Sequence, residues 1–309
     1  MFSSCLVGRI CPAVLVLLFR AASGSFCDTP GESRWRQVWR DDFNEGALDL
    51  SSWTVDLGAN DSRVRDSRGT ADNVYLDHEN GHLVLRSQRQ RDGAFNFTSG
   101  AVQSQGKRAF RGPARVCVSA MLPASAAGDG ANPGIWPAHW LMPDTKKCWP
   151  TNGEIDIMEM INSDGQLHGT YHWSEATCGN NSQKGDHIAM PKDWGSTFHE
   201  FAVEYTPDFV AFLLDGHTYA NYSKDQVEIF DVPYYLILNT AVGGPWPQPV
   251  DSRTVFPSYH VIDYIIWNVK TSSGEEALLD ANKNDRAEET RVAREAAFAR
   301  KEGIPTTTT

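Results

Sequence analysis

The sequence has few basic residues for its size. In 309 residues it carries 28 Lys and Arg against 39 Asp and Glu, which gives a net charge of −11 at pH 7. The one local basic cluster is the short stretch "RSQRQR" at residues 86–91. This balance argues against nucleic acid as a partner, and a neutral or cationic ligand fits better than a strongly sulfated polysaccharide.

Long hydrophobic runs are also missing. No stretch reaches the ~20 apolar residues that a membrane-spanning helix needs. The apolar run from Ile10 to Phe19 follows a basic residue and leads into small residues. This pattern is typical of a secretory signal peptide, here residues 1–24, with cleavage near Ser23 to Ser25. We predict a secreted protein without a membrane span after cleavage, and a retained anchor is the alternative.

Cysteine is scarce as well, at six residues, and two of these fall in the predicted signal peptide. The other four form an even set with three possible pairings: Cys27, Cys117, Cys148 and Cys178. Four Asn-x-Ser/Thr acceptors for N-glycosylation agree with secretion. They are Asn60, Asn96, Asn180 and Asn221.

Helical periodicity is absent between residues 35 and 270. Short alternating or apolar runs recur there between Gly, Pro, Asn and Asp, for example "HLVLRSQ", "GEIDIMEMI" and "PYYLILNTAV". Many short strands with short connections predict one all-β domain, a sandwich or jelly roll, over residues 35–270. Residues 271–309 differ: they are rich in Ala, Glu and Arg, which predicts a charged helical tail, and they end in a Thr tract.

Three acids interrupt an apolar strand in the stretch "GEIDIMEMINSDGQLHGTYHW", residues 153–173. Strand side chains alternate, so Glu154 and Asp156 share a face, while Glu159 is out of phase. The turn-forming "NSDG" predicts a hairpin, and one extra residue at Ile157–Met158, a β-bulge, would bring Glu159 onto the face of the other two acids. The facing pairs are then Glu154 with His172, Asp156 with Thr170, and Glu159 with His168.

The same register places Cys148 opposite Cys178 on the two arms of the hairpin. We therefore expect a Cys148–Cys178 disulfide, which leaves Cys27 and Cys117 as the possible second pair.

Three carboxylates on one face of a secreted all-β protein point to glycoside hydrolysis. A retaining enzyme needs a carboxylate nucleophile and a carboxylic acid roughly 5–5.5 Å apart. With the bulge, the Cα atoms of Glu154 and Glu159 lie about 13 Å apart along the strand, and their side chains can lean together over Asp156. An ion-paired or calcium-binding acid cluster is the alternative, although no Lys or Arg lies within the hairpin.

These motifs resemble the active-site hairpin of glycoside hydrolase family 16, in its bulged E-x-D-x-x-E, laminarinase-like form. The stretches "WRDDFNEGALDLSSW", "DNVYLDHENGHLVLRS", "GIWPAHWLMP" and "PYYLILNTAVGGPWPQP" extend the similarity over about residues 35–270. The resemblance implies a jelly roll of two curved antiparallel sheets with a concave substrate cleft. It also implies retaining endo-hydrolysis of β-1,3-glucan by a monomer that requires no cofactor. A wall-remodelling transglycosylase and a non-catalytic β-glucan recognition protein remain the alternatives.

The resemblance also assigns roles to individual residues. Glu154 would be the nucleophile, Asp156 an assisting acid, Glu159 the acid/base, and His172 a support for the nucleophile. The expected sugar-binding residues are Asn73, Trp136, Trp140, Trp149 and Trp246. For Trp136 and Trp140 packing in the core is an equal alternative, and His139, on the opposite face, is expected to be structural.

Two features of the scaffold complete the comparison. Some relatives bind a structural calcium through an Asp near the last strand, so Asp263 is a candidate ligand, with Asp41 or Asp42 nearby. The stretch "GPARVCVSA" departs from the pattern of the family because it places Cys117 and Ser119 where charged residues are usual. That strand lies away from the acids, so we expect catalysis to be unaffected.

Overall fold

The structure, a computed structural model, describes residues 25–28, 35–57, 65–124, 132–174 and 177–270. The predicted signal peptide, the predicted tail and Asn60 lie outside the described residues. The described chain forms 3₁₀ turns at Phe26–Asp28 and Ala71–Asn73 and the following strands. They are β1 (Trp35–Asp41), β2 (Thr54–Val55), β3 (Ser67–Gly69), β4 (Val74–Asp77), β5 (His82–Ser87), β6 (Phe97–Ser99), β7 (Ala101–Gln103), β8 (Ala109–Phe110), β9 (Ala114–Met121), β10 (Ile135–Pro143), β11 (Glu154–Glu159), β12 (Gln166–Trp173), β13 (Ser182–Ala189), β14 (His199–Tyr205), β15 (Phe209–Leu214), β16 (His217–Ser223), β17 (Tyr234–Val242) and β18 (Ser258–Lys270).

Two eight-stranded antiparallel sheets contain all but two of the strands in the described residues. The front sheet has the order β13-β12-β11-β10-β17-β7-β2, and β8 also pairs with β17. The back sheet has the order β16-β15-β14-β9-β18-β5-β4, and β1 also pairs with β18. Strands β3 and β6 form a separate short parallel pair. The prediction of an all-β fold with two antiparallel sheets is therefore confirmed.

The core lies between the two sheets because each strand turns alternate side chains inward. Ile155, Tyr171 and Leu238 of the front sheet share one buried cluster with Leu85 and Phe201 of the back sheet. Burial of one such side chain contributes roughly 1.5–3 kcal/mol. The opposite face of each sheet is left for solvent or ligands, and this is where the polar members of the strands lie.

The described residues contain two disulfides, and both predicted pairings are confirmed. Cys148 and Cys178 join the two arms of the β11–β12 hairpin, with Cα atoms 5.5 Å apart. Cys27 joins Cys117, so the 3₁₀ turn at Phe26–Asp28 is tied to β9. This second bond accounts for the cysteine in "GPARVCVSA": the strand carries a covalent link at Cys117.

The glycosylation acceptors within the described residues are accessible. Asn96, Asn180 and Asn221 are all exposed. Their modification stays a prediction. The described residues contain no helix long and apolar enough to cross a membrane.

Candidate active site

The acidic strand β11 has the predicted bulge. Glu154 faces His172, Asp156 faces Thr170, and the pairing then shifts so that Glu159 faces His168. On the other side of β11, His139 of β10 pairs with Met158 and Trp140 pairs with Asp156, so Ile157 is the extra residue. The register derived from the sequence is therefore confirmed, and all three acids lie on one face of the strand.

Glycine at position 169 lies beside the bulge and lets the back sheet approach β12 closely. Gly169 lies on β12 between the residues that face Asp156 and Glu159. A Cβ atom here would lie 2.7 Å from Cδ1 of Phe212 and 2.3 Å from the hydroxyl oxygen of Tyr219, which come from the back sheet. Ile157 and Met158 are both fully buried. The two bulge residues therefore belong to the core, and the rings of Phe212 and Tyr219 occupy the space beside Gly169.

Tryptophan indoles hold the two glutamates. Nε1 of Trp149 donates a hydrogen bond to Oε2 of Glu154 at 2.9 Å. Nε1 of Trp136 donates to Oε1 of Glu159 at 3.0 Å. Each indole occupies one oxygen of its glutamate partner, leaves the other oxygen available, and restricts the rotamer of that glutamate. The two acids are therefore fixed from opposite ends of the cluster by neutral donors.

His172 connects the acids to the edge of the front sheet. Its Nε2 atom lies 3.0 Å from Oδ2 of Asp156 and 4.0 Å from Oε1 of Glu154. Its Nδ1 atom lies 3.1 Å from Oδ1 of Asn181. Nδ2 of Asn181 lies 3.0 Å from the same Nδ1 atom and donates to Oε1 of Gln183 at 3.1 Å, so both polar atoms of the Asn181 amide lie against the imidazole.

Burial and neighbouring groups shift the pKa values of the three acids in the cluster. Burial, followed by the charge of Asp156, raises the pKa of Glu154 to about 8, while His172 and the Trp149 indole act in the opposite direction. Burial raises the pKa of Asp156 to about 7, and its hydrogen bond with Glu154 opposes this rise. Burial and then the charge of Asp156 raise the pKa of Glu159 well above its ordinary value. Burial thus raises the pKa of all three acids, and the charge of Asp156 further favours the protonated form of both glutamates.

Aromatic side chains line the same face of the front sheet. Trp246 packs edge-on against Trp136, with ring centroids 5.3 Å apart, and its ring also lies 5.3 Å from His168. Trp140 donates from Nε1 to Oδ1 of Asn239 at 2.7 Å. Trp149 and Trp246 are about two-fifths exposed, as expected for residues at the rim of a cleft. Because Trp140 pairs with Asp156, Trp136 and Trp140 lie on the acid face and not in the core.

Asn73 differs from the other candidate sugar-binding residues. It has no exposed surface. Its Nδ2 atom donates to Oγ1 of Thr70 at 3.0 Å, and its Oδ1 atom accepts from Nε of Arg86 at 3.0 Å. The structure thus gives Asn73 a role in ordering the segment before β4. A direct contact with sugar would require these bonds to open, and it stays a prediction.

His139 lies in the core, as expected for a structural residue. Its Nε2 atom is 2.9 Å from Nε2 of His260, and the two fully buried rings stack with centroids 4.9 Å apart. Burial lowers the pKa of both imidazoles, that of His260 to about 3. Both rings are therefore neutral at physiological pH, so one Nε2 atom donates to the other.

The predicted calcium ligands have other partners in the structure. The carboxylate of Asp263 lies 3.7 Å from Nε2 of His82. Asp42 pairs with Arg40 at 2.7 Å, and Asp41 accepts from Nε1 of Trp53 at 2.8 Å. Calcium binding by these side chains stays a prediction. The carboxylate and imidazole atoms that do converge belong to the acid cluster itself, where Glu154, Asp156 and His172 offer ligand atoms within 4.8 Å of one another.

Three residues of the site were not anticipated from the sequence: Asn181, Asn239 and Tyr235. Asn181 lies three residues after Cys178, and the disulfide at that position was the only signal for it. Asn239 comes from β17, which pairs with β10. No local sequence motif indicates that these two strands are neighbours, so Asn239 could not be placed in the site. Tyr235 lies on the same strand, and burial followed by the charges of Asp144, Asp56 and Glu154 raises its pKa to about 12.

Comparison with known proteins agrees with this geometry. The model of the family described as "Glycosyl hydrolases family 16" matches residues 64–264. This range includes the acidic hairpin and the four tryptophans of the site, Trp136, Trp140, Trp149 and Trp246. The chain belongs to glycosyl hydrolase family 16. It is 30% identical over 252 residues to the β-glucanase of Rhodothermus marinus, and the aligned region covers 75% of this chain and 84% of that protein.

Solved structures of this family have the same fold. The laminarinase catalytic domain of Thermotoga maritima MSB8 superposes with a TM-score of 0.68 at 31% identity, covering 77% of this chain and all of that one. The endo-β-1,3-glucanase of Pyrococcus furiosus superposes with a TM-score of 0.68 at 30% identity, covering 78% of this chain and 97% of the other. The two sheets are thus the β-jelly-roll of family 16, and this member is a glycoside hydrolase.

Proposed function

We propose that this family 16 protein is a retaining endo-β-1,3-glucanase that hydrolyses internal bonds of laminarin-like glucans. The observation that carries the proposal is the bulge at Ile157, which brings Glu154, Asp156 and Glu159 onto one face, where burial raises the pKa of each. The laminarinase and endo-β-1,3-glucanase relatives support β-1,3-glucan as the substrate class.

The first half of the reaction uses both glutamates. The carboxylate of Glu154 attacks the anomeric carbon while Glu159 transfers its proton to the glycosidic oxygen, so the leaving sugar departs as an alcohol. A covalent bond then joins Glu154 to the anomeric carbon. The hydrogen bond from Trp136 fixes Oε1 of Glu159, which leaves its second oxygen to carry the proton toward the substrate.

In the second half Glu159, now a carboxylate, removes a proton from water, and the water oxygen attacks the anomeric carbon. The bond to Glu154 breaks and the electron pair returns to its carboxylate. Two inversions at one carbon retain the β configuration. Asp156 has no covalent part in this scheme: it shares the proton and charge of the resting pair with Glu154, and His172 holds it in place.

The test compares Glu154→Gln with Glu45→Gln, a control at an exposed acid outside the site. Initial products from laminarin, mixed-linkage glucan and agarose are separated by size, and the anomer released first is identified by proton NMR. We expect wild type and the control to release β-anomeric oligosaccharides from laminarin, and Glu154→Gln to lose at least about 10³-fold in kcat. Undiminished hydrolysis by Glu154→Gln, or α-anomeric first products, would refute the mechanism.

The same product analysis tests the alternatives. Products longer than the input at high oligosaccharide concentration would reassign the protein to transglycosylation. Binding of laminarin without any cleavage would reassign it to recognition, although the complete set of acids favours catalysis. The scheme uses carboxylates alone, so we also propose that activity requires no cofactor and survives treatment with EDTA.

We further propose that the protein is secreted as a monomer after removal of residues 1–24. The apolar segment in that range and the two disulfides support this location. N-terminal sequencing of protein recovered from the medium of an expressing eukaryotic culture tests it. A mature chain that begins near Ser23 to Ser25 is expected, and retention of Met1 in a membrane fraction would contradict it.

A further inference from the structure

The outward face of the back sheet carries a second concave surface, on the opposite side of the molecule from the acids. A cavity of about 650 Å³ lies there, over strands β4, β5, β18 and the end of β9. Its floor is apolar and includes Val84, Val261 and Met121. The inward neighbours Leu83 and Leu85 belong to the core, which shows that this floor is the outer side of the sheet.

Two tyrosines stand on this surface. Tyr75 on β4 is 38% exposed and Tyr259 on β18 is 45% exposed. Tyr75 pairs with Val84 and Tyr259 pairs with Arg86, both on β5, so the two rings project from the same face of three adjacent strands. They face solvent across the intervening strand and offer flat apolar surfaces to a ligand.

Tyr75 is braced from behind. The guanidinium of Arg86 lies 5.7 Å from the centroid of the Tyr75 ring. The same group is fixed by hydrogen bonds to Oδ1 of Asn73 at 3.0 Å and to the carbonyl oxygen of Asp72 at 2.8 Å. A ring held in this way loses little conformational entropy when a ligand stacks on it.

The rim of the cavity is polar and acidic. Oδ2 of Asp77 accepts from Nδ2 of Asn80 at 2.8 Å, and Oδ1 accepts from the backbone N–H of Glu79 at 3.2 Å. The Asn80 contact is the main reason that the pKa of Asp77 is lowered. The carboxylate is thus ionised and oriented, with acceptor capacity for hydroxyl donors, while its charge and that of Glu79 disfavour anionic ligands.

The catalytic face provides a comparison within the same molecule. Among the described residues, four Trp and Tyr side chains are exposed. Two of them, Trp149 and Trp246, lie beside the acids, and the other two are Tyr75 and Tyr259. The exposed aromatic side chains therefore occur as one pair on each side of the sandwich, each beside carboxylates.

We propose that the Tyr75–Tyr259 surface is a second, non-catalytic binding site for a neutral polysaccharide chain. Pyranose rings have apolar C–H faces that stack on tyrosine and equatorial hydroxyls that donate to carboxylates, and this cavity offers both partners. That the chain is a β-glucan rests on the proposed function. The site faces away from the cleft, so one enzyme molecule holds the polymer at the back sheet while the front sheet cuts another segment, and the local substrate concentration rises.

The experiment uses full-length protein carrying Tyr75→Ala, Tyr259→Ala, or both, with Leu50→Ala as the control at an exposed apolar residue elsewhere. Retention is measured by co-sedimentation with insoluble β-1,3-glucan and by affinity electrophoresis in laminarin, mixed-linkage glucan and agarose gels. Turnover is measured on a short, soluble β-1,3-oligosaccharide. We expect the double variant to bind at least about 5-fold more weakly to the polymer, with turnover of the oligosaccharide within about twofold of wild type.

Several results would overturn the proposal. Unchanged retention of the double variant on every polymer means that the tyrosines bind no polysaccharide. An equal loss of polymer retention and of oligosaccharide turnover means that the two tyrosines affect the cleft or the fold. A dimer in sedimentation velocity that dissociates on Tyr259→Ala makes the surface an interface with a second copy. If no β-glucan is cleaved at all, the proposed function fails, but tyrosine-dependent retention on any neutral polymer still upholds this site.

Discussion

His172 and Asp156 are in direct contact, with Nε2 of the imidazole 3.0 Å from Oδ2 of the carboxylate. They are not opposite each other in the sheet, because His172 pairs with Glu154 and Asp156 pairs with Thr170. The contact is therefore diagonal, and it depends on the orientation of the imidazole. Asn181 is the group that sets this orientation from the other side of the ring.

We first predict that Asn181→Ala lowers kcat roughly 10-fold while KM changes little, since Asn181 acts through His172 and does not face the substrate. The conservative variant Asn181→Asp keeps a side-chain oxygen within reach of Nδ1 and should restore most of kcat. The control is Asn180→Ala in protein made without N-glycans. Equal kcat values for all three variants would show that the imidazole is held by other groups.

The pH dependence of kcat/KM should reflect the raised pKa of the Glu154–Asp156 pair. Activity needs Glu154 as a carboxylate, so it should fall as the pH drops through about 8, far above the ordinary range of Glu. Because the charge of Asp156 raises the pKa of Glu154, Asp156→Asn should move this acid limb to lower pH. A pH-rate profile of both proteins is the measurement, and an acid limb in the same place in both would contradict the assignment.

Burial of Glu159 should destabilise the folded protein near neutral pH. Its raised pKa means that at acidic pH both folded and unfolded states are protonated and there is no penalty. As the pH rises, the unfolded chain ionises first and the free energy of unfolding falls. Glu159→Gln should thus raise Tm by roughly 3–8 °C at pH 8 and by little at pH 4. Calorimetry at both pH values, beside Glu45→Gln, decides it, and an equal rise at both would exclude a proton-linked cause.

Gly169 should tolerate no side chain. Gly169→Ala places its Cβ against Phe212 and Tyr219, so we expect a loss of about 1–3 kcal/mol in the free energy of unfolding. Tyr219→Phe removes the nearest atom and should recover part of the loss in the double variant. Gly46→Ala is the matched control, because its Cβ would meet no atom within 4 Å. Urea unfolding of the four proteins measures the effect, and a neutral Gly169→Ala would show that the sheets can separate here.

The two disulfides should separate stability from activity. Removal of Cys27–Cys117, with a sequence separation of 90, should lower the free energy of unfolding by about 4–5 kcal/mol and leave turnover intact. Removal of Cys148–Cys178, with a separation of 30, should lower it by roughly 3–4 kcal/mol and also reduce kcat. The reason is that Trp149, the donor to Glu154, follows Cys148 directly. Paired Cys→Ala variants test this, and equal losses of kcat would refute it.

The hairpin is the part of the site that sequence reasoning predicted best. Side-chain parity and the "NSDG" turn define a register with a single bulge, and the Cys148–Cys178 disulfide that follows from it is present. Each constraint is local, and none requires knowledge of which strands are neighbours.

Contacts that depend on which strands are neighbours in the sheet were not predictable from the sequence. Parity placed Trp136 and Trp140 on one face, but their indoles were expected to stack on sugar. Their hydrogen bonds to Glu159 and Asn239 depend on rotamers and on the β10–β17 pairing. The buried amide of Asn73 is a similar case, since Arg86 reaches it only because β4 folds back onto β5.

The bulge at Ile157 has a genetic consequence. In-frame loss of the codon for Ile157 would return β11 to strict alternation, and Glu154, Asp156 and Glu159 would still point the same way, at the expense of one buried side chain. Loss of the codon for Ile155 would instead turn Glu154 toward the core. Neighbouring positions of this strand therefore differ in whether they tolerate a deletion. The tolerant position is Ile157, between the second and third acids.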